Sequence, residues 1–181
     1  AVMTDFARLM SDYFVKYLAG QKGSGSNTMK TYRDTFVQLL EFMDEKKHIR
    51  ADCIEVDSFS YDIINEFLEY LEKEKRVSIS TRNNRLAAIR SFFKYTGYHE
   101  PKYLNISTSI REISKKKTEG RQMNYLSVNA MEHFLNSFDK TDHKELRCFC
   151  IVLLLYESGA RVTELCNVRR YDLHLEKPYT M

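Results

Sequence analysis

Apolar residues recur along this chain at three- and four-residue spacing, the mark of helices that bury one face. Phe6, Leu9, Met10, Tyr13, Phe14 and Tyr17 make a first stripe, with Thr4 placed to cap it and Gly20 to end it. After a loop at residues 21–26, Met29, Tyr32, Phe36, Leu39, Leu40 and Met43 predict a helix from Asn27 or Thr28 to about Lys46. Ile63, Ile64, Phe67, Leu68 and Leu71 predict a third helix over 61–75. Leu86, Ile89 and Phe93 predict a fourth, with Ser80 as its cap. Ile106, Ile110 and Ile113 suit a short helix inside a polar stretch, and Met131, Phe134, Leu135 and Phe138 another after Ser127. Residues 149–156 are apolar nearly all round and predict a helix buried on every side. Gly159 stops it where a C-cap needs positive φ. Val162 and Leu165 open a last short helix, and residues 174–181 are expected to begin a sheet.

Composition agrees with a mainly α chain. Two prolines, six glycines and no strict apolar–polar alternation argue against a sandwich or barrel. Hydrophobic residues at 43% and charged residues at 29% are ordinary for a globular protein and exclude global disorder. No run of eighteen apolar residues and no signal-like amino terminus occur, so a cytoplasmic protein with no membrane association is expected. Cys53, Cys148, Cys150 and Cys166 lack the paired spacing of a zinc site. The last three read as small core residues, and neither metal nor cofactor is expected.

Charge is unevenly spread. Between residues 41 and 74, eleven acidic residues face four basic ones, whereas between 75 and 121 twelve basic residues face three acidic ones. That polarity suits a polyanion on one face, or simply a solvated surface of uneven charge. The acidic side includes Glu66, Glu69, Glu72 and Glu74, an outer helix face expected to point away from DNA. No acidic residue falls between Lys75 and Tyr98. Asn83, Arg90 and Lys94 share a second stripe of the fourth helix, with Arg82 and Arg85 at its entry. Such a helix can lay polar groups into a major groove and clamp phosphates. Lys30 and Thr31, early in the second helix, are useful to an arriving phosphate, or are merely solvated. Lys115, Lys116, Lys117 and Arg121 are simply solvated, or would contact phosphates and add affinity without sequence information.

One turn stands out. Arg161 follows Gly159-Ala160 directly, with Glu164 three residues on. A guanidinium held at a sharp turn suits bidentate recognition of a phosphate. The plainer alternative is an i, i+3 Arg–Glu pair capping a helix junction.

The words S-G-A-R-V-T-E-L at 158–165 resemble the first arginine box of the tyrosine recombinases, the phage-integrase family. The pattern S-x-T-x-x-x-Y at 26–32 and the stretch S-T-R-N-N-R-L-A-A-I-R-S-F-F-K-Y at 80–95 resemble the two best-marked helices of that family's core-binding domain. The resemblance implies a helical SAM-like bundle of about four helices over 1–98, an interdomain linker over 99–124, and the truncated helical start of an α+β catalytic domain over 125–181. It implies Arg161 as the first catalytic arginine and Glu164 as its supporting acid. It also implies double-stranded DNA as partner through Thr28, Lys30, Thr31, Arg82, Asn83, Arg85, Arg90 and Lys94, and further recombinase protomers in the full-length protein. In the family the linker passes around the duplex to make a C-shaped clamp. Its reaction is phosphoryl transfer by a tyrosine nucleophile without metal or nucleotide. The family's hairpin lysine, H-x-x-R box and nucleophile find no match here: Tyr156 reads as core, Tyr171 and Tyr179 as surface. This chain by itself is therefore expected to bind DNA weakly without cutting it, its full-length parent being the enzyme. A non-catalytic DNA-binding or regulatory protein and a helical protein-interaction module are the rival readings.

Overall fold

The computed structural model describes residues 3–118, 120 and 124–172, and every regular element among them is helical. The chain divides into two compact units, residues 1–120 and 121–181.

The first unit opens with α1 (Asp5–Asp12), whose first turn is capped by Thr4 Oγ1 accepting from Ala7 N–H. The helix then widens into a π-helical run, Tyr13–Gln21. Wider turns bring residues five apart onto one face, so Tyr13 and Leu18 are both fully buried. Uninterrupted 3.6-residue periodicity would not have selected Leu18. Helix α2 (Ser26–Lys47) ends at His48 in the left-handed region, φ 56°. Two 3₁₀ turns, Ala51–Cys53 and Val56–Ser58, lead to α3 (Tyr61–Lys73), capped by Ser60.

Helix α4 (Ile79–His99) is the hub of the unit. Its cap is Ser78, not Ser80: Ser78 has extended backbone and its Oγ accepts from Thr81 N–H. Ser80 already lies inside the helix, because both serines fit the cap pattern and only the chain's entry path selects between them. Phe92 touches Phe6, Tyr13, Phe36 and Phe93, all with ring centroids 5.2–5.5 Å apart.

The stretch expected as a linker from residue 99 is divided. Its first part folds onto the bundle as a 3₁₀ turn, Pro101–Tyr103, and α5 (Leu104–Glu112). Tyr103, Ile110 and Ile113 are buried there. The isoleucines supply an apolar face, and Gly97 lets α5 approach closely: a Cβ on it would lie 2.6 Å from Ser107 Cβ.

The second unit holds α6 (Val128–Asn136), α7 (His143–Ser158) and α8 (Val162–Asn167). Ser127 caps α6, and Gly159 closes α7 at φ 63°, both as expected. The expected all-round burial of α7 is not found. No described residue of this unit is buried, and Ile151, Leu154 and Tyr156 are exposed. Against α7, the described residues set an edge contact between Phe138 and Phe149, 6.2 Å between centroids. Two short neighbours cannot enclose a sixteen-residue helix. For the same reason Cys148, Cys150 and Cys166, read as core thiols, are exposed, as is Cys53. The strand expected at 174–181, with Tyr179, lies outside the described residues. No helix of the described residues is long and apolar enough to cross a membrane.

Candidate nucleic-acid interface

The charged groups singled out in the sequence fall into two sets: those that reach a common surface, and those spent on holding the bundle together. Arg85 and Thr31 show how the surface is built. The Arg85 guanidinium donates to Thr31 O at 3.0 Å and Thr35 Oγ1 at 3.3 Å, stitching α4 to α2. Beside that stitch, Asn27, Thr28, Thr31 and Tyr32 of α2 face Asn84 and Ala87 of α4 across a groove.

Sharing Tyr32 and Ala87 with this groove is a cleft of about 470 Å³ that also carries Tyr17, Lys22, Arg90, Ser91, Lys94, Arg111 and Lys115. Five cations from four stretches of chain converge on it. Lys22, Lys94, Arg111 and Lys115 lie beyond ion-pair distance of every described carboxylate. A cleft lined by one sign of charge concentrates its field and attracts polyanions. Lys22 and Arg111 were not picked out in the sequence. Lys22 sits in a loop without periodicity, and Arg111 in a stretch read as an interdomain linker; only the packing of α5 brings it to the cleft.

Arg82, Asn83 and Arg90 have inward tasks. Arg82 is buried, 6% exposed. Its Nε lies 2.9 Å from Glu72 Oε1, off the line of a hydrogen bond, so that contact is an ion pair. Its Nη1 donates to Ser114 O. Asn83 makes a reciprocal pair with one peptide unit: Nδ2 donates to Lys116 O at 2.8 Å, and Oδ1 accepts from Lys116 N–H at 3.1 Å. Arg90 donates to the carbonyls of Arg111 and Ile113 at the carboxyl end of α5, where the helix dipole favours a cation. The stripe expected to enter a groove is thus largely turned onto the chain itself, with Lys94 left exposed. Glu72 does not share the outward role expected of its helix face; it holds both Arg82 and, at 2.7 Å, Lys116. Lys30 and Lys117 are exposed, and Arg121 lies outside the described residues.

In the second unit Arg161 is the N-cap of α8. Glu164 Oε2 accepts from Arg161 N–H and Oε1 from Arg161 Nη1, both at 2.8 Å. The i, i+3 pair is therefore formed. The backbone hydrogen bond first, and then the guanidinium, hold the Glu164 carboxyl below the usual glutamate range. Arg161 remains 82% exposed, and one of its five N–H groups serves Glu164. The remainder stay available to an oxyanion. Among the described residues no cluster of three His, Cys, Asp or Glu side chains could hold a metal ion.

Comparison with known proteins follows the same lines. Residues 12–101 match the family model described as phage integrase, N-terminal SAM-like domain. The integrase/recombinase y4rC of Sinorhizobium fredii is 28% identical over 167 residues, 92% of this chain and 50% of that protein. Its relative y4rD from the same organism is 28% identical over 173 residues, 96% of this chain and 62% of that protein. The tyrosine recombinase XerC of Staphylococcus aureus is 26% identical over 166 residues, 91% of this chain and 52% of that protein. The chain thus spans 50% to 62% of the length of these relatives. No solved structure shows a significant match. With the matched segment running from the π-helical turn through α4, and the relatives aligning on through the arginine turn, the chain belongs to the tyrosine recombinase, or phage integrase, family.

Proposed function

We propose that this chain is the DNA-holding part of a tyrosine-type site-specific recombinase and carries the first arginine of its catalytic centre. The observation that carries the reading is the cleft of Lys22, Lys94, Arg111 and Lys115, continuous with the Thr28–Thr31 groove. Lysines spread along a cleft track a phosphate backbone, and hydroxyl and amide groups beside them supply neutral phosphate contacts. The first domain ends after α5, and the short basic stretch that follows is the linker. In the full-length protein Arg161 steadies a non-bridging phosphate oxygen as charge grows in the transition state, with Glu164 orienting it. The protein works in the cytoplasm on double-stranded DNA, in assemblies with further copies of itself, with no metal or nucleotide cofactor and no membrane partner.

The test is retention of the 181-residue chain on duplex DNA as salt is varied. Log affinity should fall linearly with log salt, by about 0.9 for each phosphate neutralised. Lys22→Glu with Lys94→Glu should reduce that slope by about 2 while leaving helicity intact. Retention indifferent to salt between about 50 and 200 mM would remove the reading.

A further inference from the structure

The polar stripe on α4 and the basic run after α5 look like two separate DNA-contacting elements, yet the hydrogen bonds join them into one. Asn83 grips both sides of the Lys116 peptide unit. Arg82 holds Ser114 O one turn away, and Arg90 holds the carbonyls of Arg111 and Ile113. Glu72 of α3 takes the Lys116 ammonium at 2.7 Å and the Arg82 guanidinium at 2.9 Å. Four consecutive anchor points between residues 111 and 116 are thus tied to α3 and α4. Residues 114–118 have no regular structure of their own and are exposed, so nothing else in the described chain sets their path.

The alternation that results is chemically specific. With the Lys116 side chain drawn to Glu72, its neighbour Lys115 points into the cleft beside Lys94 and Arg111. A run of three lysines in the sequence is therefore not three equivalent phosphate ligands. One is committed to an intramolecular carboxylate, and one is presented.

We infer that Asn83, with Arg82, Arg90 and Glu72, is a positioning residue that presets Lys115 and Arg111 in the cleft, rather than a reader of bases. This rests on the DNA-holding reading above. An uncharged side chain then governs a charge-dependent property. A loop held in its bound path beforehand costs less ordering on association, so losing the hold weakens binding although no cation has been removed.

The experiment is a double-substitution cycle on the 181-residue chain, read by the salt dependence of duplex binding and by amide hydrogen exchange. Lys115→Ala should lower the salt slope by about 0.9. Asn83→Ala should lower it by a similar amount and remove the exchange protection of the Lys116 amide, with unchanged far-ultraviolet dichroism. The two together should do no more than either alone. Additive effects of Asn83→Ala and Lys115→Ala would overturn the inference, since Asn83 would then touch DNA independently. A wild-type chain showing no salt-dependent binding would overturn the DNA reading, and this inference with it. Binding by the wild type that is weakened by Lys115→Ala but untouched by Asn83→Ala would overturn the positioning role alone.

Discussion

At the scale of single residues, identity matters most where two groups compete for the same small space or the same proton. Gly97 lies against Ser107, and an added methyl would meet its Cβ at 2.6 Å and its Oγ at 2.7 Å. Gly97→Ala should cost about 1–3 kcal/mol in urea unfolding, the usual penalty of overpacking. Ser107→Gly in the same protein should recover most of it. Glu164 is held ionised by the Arg161 backbone and guanidinium, so its contribution to the start of α8 is complete above the ordinary glutamate pKa. It is lost as pH falls through the depressed one. A carbon-detected titration should find Glu164 below the usual glutamate value, and Arg161→Ala should move it back up, the backbone bond still holding it partly down. In a full-length version, Arg161→Ala should stop formation of the covalent protein–DNA link while leaving duplex retention within about twofold. A covalent product from that variant would remove the catalytic assignment.

Elements are positioned by charge as well as by apolar stripes. The first residues of the stretch expected as a linker are tied to α1. Lys102 Nζ meets Asp5 Oδ2 at 2.6 Å, Tyr103 OH donates to the same oxygen at 2.8 Å, and Arg8 Nη2 meets Glu100 Oε1 at 2.7 Å. The Lys102 and Tyr103 hydrogen bonds hold the Asp5 carboxyl below its usual value. A depressed carboxylate contributes stability that is present above its unfolded pKa and lost on acidification. The tie should therefore be intact at pH 7 and fail below about pH 4. Asp5→Asn should lower the melting temperature at pH 7 and make it less sensitive to pH below that point. Removal of Glu72 tests the buried side of the same logic. With Arg82 left as a buried cation without a carboxylate, Glu72→Ala should cost about 3 kcal/mol by chemical denaturation. A loss under 1 kcal/mol would mean that water reaches the guanidinium.

Across the whole molecule the two units differ in how much they enclose. The first surrounds a continuous core, from Phe6 and Leu9 through Phe92 and Phe93 to Ile110 and Ile113. The second has no buried residue among those described. A protein ending at residue 118 should accordingly melt cooperatively, within a few degrees of the 181-residue chain, whereas residues 121–181 alone should bind a hydrophobic dye and melt without a sharp transition. Much of this was legible in the chain. The stripes of α1 to α3, the Thr4 and Ser127 caps and the Gly159 stop are local matters of periodicity and backbone sterics, which neighbouring residues dictate. Lys94 was legible as a cation on a stretch free of acids, and Lys115 as one of a run of three lysines. Other features required residues distant in sequence to meet. Leu18 is buried because a π turn shifts the register, and Phe92 because α4 is surrounded by other elements. Arg111 reaches the cleft because α5 packs on α4. Which arginines bind inward was also a tertiary decision, because a guanidinium goes to whatever acceptor the fold brings nearest. Arg82, Arg85 and Arg90 found carbonyls, a hydroxyl and a carboxylate of their own chain. Patterning alone determined that this is a helical protein with one cationic face; packing alone decided which cations that face presents.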